Sequence, residues 1–174
     1  MTLVRASALF SPFKDNSFDA AFSSYVAEHL EEGPEALFRE IHRVIKPGGL
    51  FFVVVPFNNT FRRILVNPAL RSLHLLWRLR RKALAFTEYH YTKHEMDGFL
   101  LRSGFHVLRV LPDDFNAPWS KGLFIDLCDI GAFLRYTPRP FQFGPFGARV
   151  ARLIRSMGVW HSCAGIFYVA RAEK

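Results

Sequence analysis

Residues 34–55 constrain the fold more than any other stretch. Leu37, Phe38, Ile41, Val44 and Ile45 recur at helical spacing on one face, while Arg39, Glu40, His42 and Arg43 take the other. Gly33-Pro34-Glu35 opens this helix with Pro34 at its first helical position, and Pro47-Gly48-Gly49 is expected to stop it. LFFVVV, residues 50–55, follows at once. An unbroken apolar run rich in β-branched and aromatic residues fits a strand covered on both faces, as in a parallel sheet. Upstream, FDAAFSSY over 18–25 reads as a short strand entered through the turn Asp15-Asn16-Ser17. Strand, helix, strand is a βαβ unit with a right-handed crossover, which puts the chain in the α/β class.

Further signals extend this frame. Residues 2–10 read as the end of a strand and its exit loop. Thr92-x-x-Glu95 is a capping box, opening a helix that carries Met96, Phe99 and Leu100 and closes at Gly104. FHVLRVL over 105–111 and GIFYVAR over 165–171 read as strands. Helices are expected around 122–135 and 146–157. Half of the residues are hydrophobic and 16% aromatic, ample for a packed core. The two cysteines, Cys128 and Cys163, form no CxxC and no zinc spacing, so plain thiols in a reducing cytoplasm are expected. The N-terminus lacks the apolar core of a signal peptide, and no run is long enough to span a membrane.

The stretch SPFKDNSFDAAFSSYVAEHLEEGPEALFREIHRVIKPGGLFFVVVP resembles the second half of a class I S-adenosylmethionine-dependent methyltransferase. Within that superfamily it is similar to the group containing the ubiquinone/menaquinone biosynthesis methyltransferases. The shared pieces are Pro12-Phe13, Asp15 to Asp19, Glu28-His29-Leu30, and Arg43 to Gly49. YTKHEMDGFLLRSGF over 91–105 resembles the helix before the family's sixth strand, and IFYVARAEK its seventh, antiparallel strand. The resemblance is dense over 5–58 and loose over 88–112 and 164–174. It implies one partial methyltransferase domain over 1–174. Its doubly wound, Rossmann-like sheet would be represented by strands four to seven, with inserted helices over 60–87 and 113–163.

The resemblance also implies a cofactor, S-adenosyl-L-methionine, seated at the carboxyl ends of the parallel strands. Ser7-Ala8 matches the family's adenine-contacting pair, and Ser24 matches the polar position beside the methionine part of the cofactor. His29 is the weak candidate for a substrate-side or catalytic group, against an ordinary helix-start or packing role. Tyr89 and His90 are candidates for the mouth of the acceptor pocket, against plain loop packing. Methyl transfer needs mostly proximity and alignment, so no catalytic dyad is required. No metal is expected, because the capping box separates His90 from His94 and Glu95. The implied reaction moves a methyl group to a small hydrophobic acceptor. The family's Gly-rich turn and ribose-binding acid have no match here: Gly48-Gly49 precedes a strand, and Gly144-x-x-Gly147 follows none. A truncated reading frame is therefore expected, with a non-catalytic remnant that binds a partner chain or a membrane as the alternative.

Net charge is +8, which favours acidic partners. Seven Arg or Lys and no acid lie between Arg62 and Lys82, interleaved with leucines and Trp77. Segment 60–87 therefore reads as a basic amphipathic helical insertion. It suits a lid, a peripheral contact with anionic membrane, or a solvated face over a packing stripe. Nucleic acid is disfavoured, since a phosphate-tracking groove wants exposed stacking rings. A cytoplasmic location is expected, with membrane association through this segment.

Overall fold

The computed structural model describes residues 3–72, 88–113 and 144–174. Trp77, Leu73, Leu84, Cys128 and the helix expected over 122–135 lie outside the described residues. The chain divides into two compact units. The first comprises Met1–Pro56, Glu88–Leu111 and Ile166–Lys174; the second comprises Phe57–Thr87 and Pro112–Gly165.

The first unit is built on a sheet of four strands, β1 (Phe18–Ser24), β2 (Ile45–Pro56), β3 (Phe105–Asp113) and β4 (Gly165–Ala172), in the order β1-β2-β4-β3. The last strand in sequence thus enters between β2 and β3. β1 and β2 are parallel, with Ala20 to Ser24 opposite Leu50 to Val54. Helix α1 (Glu35–Val44) makes the crossover between them. The expected βαβ unit and α/β class are therefore present.

The helix does not stop where Pro47-Gly48-Gly49 suggested. It ends at Val44, and Ile45 is already extended and paired with Phe18. Two positions on β1 then span five on β2, so Lys46–Gly49 bulges out at the start of the strand. Gly48 takes φ +75 there, which a side chain rarely adopts. Pro34 precedes the first helical residue instead of being it. Over residues 3–10 the expected strand end is replaced by one antiparallel bridge between Ser7 and Phe10.

The core of this unit joins three elements through aromatic rings. Phe38 of α1, Phe51 of β2 and Phe105 of β3 are all fully buried. Phe51 stands 5.4 Å from Phe38 and 5.0 Å from Phe105, centroid to centroid. Helix α3 (Lys93–Arg102) adds Met96 and Leu100. Its capping box forms in full: the Glu95 N–H donates to Thr92 Oγ1, and Glu95 Oε2 accepts the Thr92 N–H at 2.7 Å. Tyr168 of β4 is buried and donates from its hydroxyl to Asp97 Oδ1 at 3.0 Å.

The entry to β1 is held by a polar clamp. Arg43 donates to Glu40, Asp15 and the carbonyls of Phe13 and Ser11. Glu40 also accepts the Ser11 N–H and hydroxyl, at 2.8 and 2.6 Å. The Arg43 hydrogen bonds, reinforced by those of Ser11, hold the Glu40 carboxyl at about 2. Asn16 takes φ 55, so the expected turn at 15–17 is a left-handed one.

In the second unit, helical backbone α2 runs over 60–72. Arg62–Val66 winds as a π-helix, closed by the Asn67 N–H on the Arg62 carbonyl. Buried Asn59 anchors it, donating to the Cys163 carbonyl at 3.0 Å and accepting the Arg62 N–H at 2.8 Å. Helix α4 (Pro145–Ser156) buries Gly147, Ala151 and Ile154. Phe57 and Trp160 meet edge to face at 6.1 Å.

Candidate functional site

The carboxyl ends of β1 and β2 are where a ligand crevice is expected in an open parallel sheet. β1 closes with Ser23, which is buried, and Ser24, which is half-buried. The backbone then turns sharply. Tyr25 takes φ 53, and its N–H still donates to the Val54 carbonyl at 3.0 Å. A left-handed residue with a bulky side chain is uncommon and is found where surrounding structure over-determines it. A single turn of 3-10 helix, Ala27–His29, follows.

The loop before α3 seals this turn from the other side. The Tyr89 N–H donates to the Glu28 carbonyl at 2.9 Å, and the Tyr89 hydroxyl to the Glu31 carbonyl at 3.0 Å. The Tyr91 hydroxyl donates to the Ala27 carbonyl at 3.3 Å, and its N–H to the Pro56 carbonyl at the end of β2. Burial pushes the Tyr91 phenol well up, so it stays a neutral donor.

The structure thus brings Ser24, His29, Tyr89 and His90 to one end of the sheet. His29 is exposed, with Nε2 3.8 Å from Glu28 Oε1, too long for a hydrogen bond. His90 Nε2 lies 3.6 Å from Glu88 Oε1. Ser7 and Ala8 lie on the exposed N-terminal segment, where Ser7 Oγ accepts the Leu9 N–H at 3.2 Å. Among the described residues no hydrogen bond joins them to the group around Ser24. Among those residues there is also no group of three or more His, Cys, Asp or Glu placed to hold a metal ion. No helix there is long and apolar enough to cross a membrane.

Sequence reasoning passed over Glu28. Its side chain is 1% exposed, and Oε2 has no hydrogen-bond partner. Burial, opposed by a backbone hydrogen bond and the adjacent His29, raises its pKa above the usual carboxylate value. The available signal was the apolar frame of Val26, Ala27 and Leu30, which leaves a short turn little room to expose Glu28. A raised folded-state pKa means that this group favours folding below its unfolded value, and that the benefit is lost as pH rises through the folded pKa. Glu28→Gln is therefore expected to raise the urea midpoint at pH 7.5 and to flatten the fall in stability between pH 4.5 and 7.5. A variant less stable than wild type at pH 7.5 would show that the ionised carboxylate is accommodated.

Known proteins match this chain locally in sequence and more widely in fold. Residues 1–53 match a family model described as a methyltransferase domain. A stretch of 49 residues is 51% identical to an uncharacterized methyltransferase of Mycobacterium avium, covering 28% of this chain and 19% of that one. A stretch of 47 residues is 53% identical to an uncharacterized methyltransferase of Mycobacterium tuberculosis, covering 27% and 18%. The matched stretch thus spans under a fifth of those relatives.

Solved structures align over almost the whole chain. The [4+2]-cyclase SpnF aligns with a TM-score of 0.52 at 19% identity, over 97% of this chain and 54% of that one. A putative methyltransferase in complex with the Haloferax volcanii Trm112 activator aligns at 0.55 and 16%, over 97% and 60%. Geranyl diphosphate methyltransferase in complex with GPP and sinefungin aligns at 0.55 and 11%, over 95% and 51%. The fold is the Rossmann-like α/β fold found in S-adenosylmethionine-dependent methyltransferases.

Proposed function

We propose that these residues form the C-terminal portion of a class I S-adenosylmethionine-dependent methyltransferase, similar to the ubiquinone/menaquinone biosynthesis group. The reaction is transfer of a methyl group to a small hydrophobic acceptor. The carrying observation is the end of β1, where half-buried Ser24 and left-handed Tyr25 open the carboxyl edge of a parallel sheet. Ser24 would lie beside the methionine part of the cofactor, and Ser7 and Ala8 beside the adenine. His29, Tyr89 and His90 would border the acceptor. The cofactor would supply the methyl group, and these residues would orient it and the acceptor. A hydrophobic acceptor also agrees with the geranyl diphosphate methyltransferase among the fold's relatives.

β1 supports a pocket shared with further strands. Parallel strands are normally covered on both faces, yet Phe18 and Phe22 are 37% and 67% exposed. Among the described residues β1 has a neighbour on one side only. That edge suits additional parallel strands carrying a Gly-rich turn. A second reading, a non-catalytic partner- or membrane-binding module, is favoured by the net charge of +8.

Titration calorimetry separates the two. The 174 residues alone are expected to bind S-adenosylmethionine weakly or not at all. A chain joining them to a Gly-rich cofactor half is expected to bind in the micromolar range. Micromolar binding by the 174 residues alone overturns the shared pocket, and no binding by the joined chain favours the module.

A further inference from the structure

Helix α4 exposes apolar side chains that its own unit does not use. Its buried line is Gly147, Ala151 and Ile154. At 3.6 residues per turn, Leu153 and Met157 fall together on a stripe beside that line, and they are 69% and 66% exposed. Met157 keeps helical backbone angles at the C-cap, so the stripe runs to the end of the helix. Arg149 and Arg152 are exposed on the flank of the stripe away from the buried line. A helix that only packs on its own unit carries polar residues at such positions.

Charge decides what fits there. No acid occurs between residues 144 and 165, nor between 57 and 72. In the same unit, helix α2 repeats the pattern: Ile64 is 72% exposed beside exposed Arg63. Aliphatic and thioether groups flanked by arginines, on two segments that carry no acid, complement a surface that is apolar within and anionic at its rim. A nucleic acid offers phosphates too, and Phe146, 61% exposed on the same stripe, is the single planar group among the stripe residues Phe146, Leu153 and Met157. A phosphate-tracking groove calls for successive stacking rings, whereas one ring among aliphatic and thioether groups suits a lipid interface.

We propose that the exposed face of α4 docks peripherally on an anionic lipid bilayer. Leu153 and Met157 enter the boundary between headgroups and acyl chains, and Arg149 and Arg152 lie in the headgroup layer. This surface uses none of the candidate-site residues and does not depend on methyl transfer.

Co-sedimentation of the full 174-residue chain with vesicles tests it. Vesicles of phosphatidylcholine with phosphatidylglycerol are expected to bind the protein, and phosphatidylcholine alone is not. Arg149→Gln/Arg152→Gln is expected to weaken binding roughly tenfold or more. Leu153→Ser/Met157→Ser changes only exposed positions and is expected to weaken it to a similar degree, about tenfold. Salt at about 0.5 M should release the protein. Equal binding to both vesicle types overturns the proposal, as does wild-type binding by the serine pair. Binding to duplex DNA that the glutamine pair abolishes and the serine pair leaves intact assigns the face to nucleic acid instead.

Discussion

Phe51→Ala is expected to cost about 3–5 kcal/mol of folding free energy, the usual loss for removing a fully buried phenylalanine. Phe51 is 0% exposed and is the middle ring of three, between Phe38 of α1 and Phe105 of β3. Its removal leaves a cavity bordered by three elements that cannot all relax toward one another. A domain of this size holds only about 5–15 kcal/mol in total, so the variant should populate unfolded chain without denaturant. Urea unfolding followed by circular dichroism measures the loss. Phe22→Ala is the control: the side chain is 67% exposed, and its loss should cost no more than about 0.5 kcal/mol. A Phe51→Ala loss below about 1 kcal/mol would show that the three-ring cluster does not carry the first unit.

The same ring cluster shows why so much of the fold could be read in advance. Phe51 sits in an unbroken apolar run after an amphipathic helix, and each signal supports the other. The capping box at Thr92 and Glu95 is a local code, written within four residues, and it forms as read. Pro47-Gly48-Gly49 is the counterexample. Proline and glycine mark a break in regular structure but do not say which element owns it, and here the strand absorbs them as a bulge. The exposure of β1 was equally hidden, because an apolar strand reads alike at the edge and in the middle of a sheet. Glu28 was missed for a related reason: charge in a sequence suggests solvent, and only tertiary packing shows that the Tyr89–Tyr91 loop closes over its turn. At the candidate site, the loop that carries Tyr89 and His90 meets the turn that carries His29 through backbone hydrogen bonds at the carboxyl end of β1 and β2. Ser7 and Ala8 lie on a segment with little regular pairing of its own, which periodicity could not position.

Ser24→Leu is expected to weaken S-adenosylmethionine binding by more than tenfold in a chain that joins these residues to a Gly-rich cofactor half. Ser24 stands opposite Val54 at the last paired position of β1, and the backbone turns away at Tyr25. A side chain there has little freedom to move aside, because the Tyr25 N–H is held on Val54 and the following turn on the Tyr89 loop. In the proposed cofactor pocket the bulk of leucine would take up space the ligand needs, where overpacking typically costs about 1–3 kcal/mol. A loss of 1.4 kcal/mol is tenfold in affinity, so steric filling alone reaches the lower bound. Loss of a hydrogen bond from the Ser24 hydroxyl to the proposed cofactor would add about 0.5–1.5 kcal/mol. Ser24→Ala separates the two contributions. It leaves the crevice open and should weaken binding by less than about tenfold. Calorimetry on the three proteins decides the matter: equal affinity in wild type and Ser24→Leu would place the cofactor away from the end of β1.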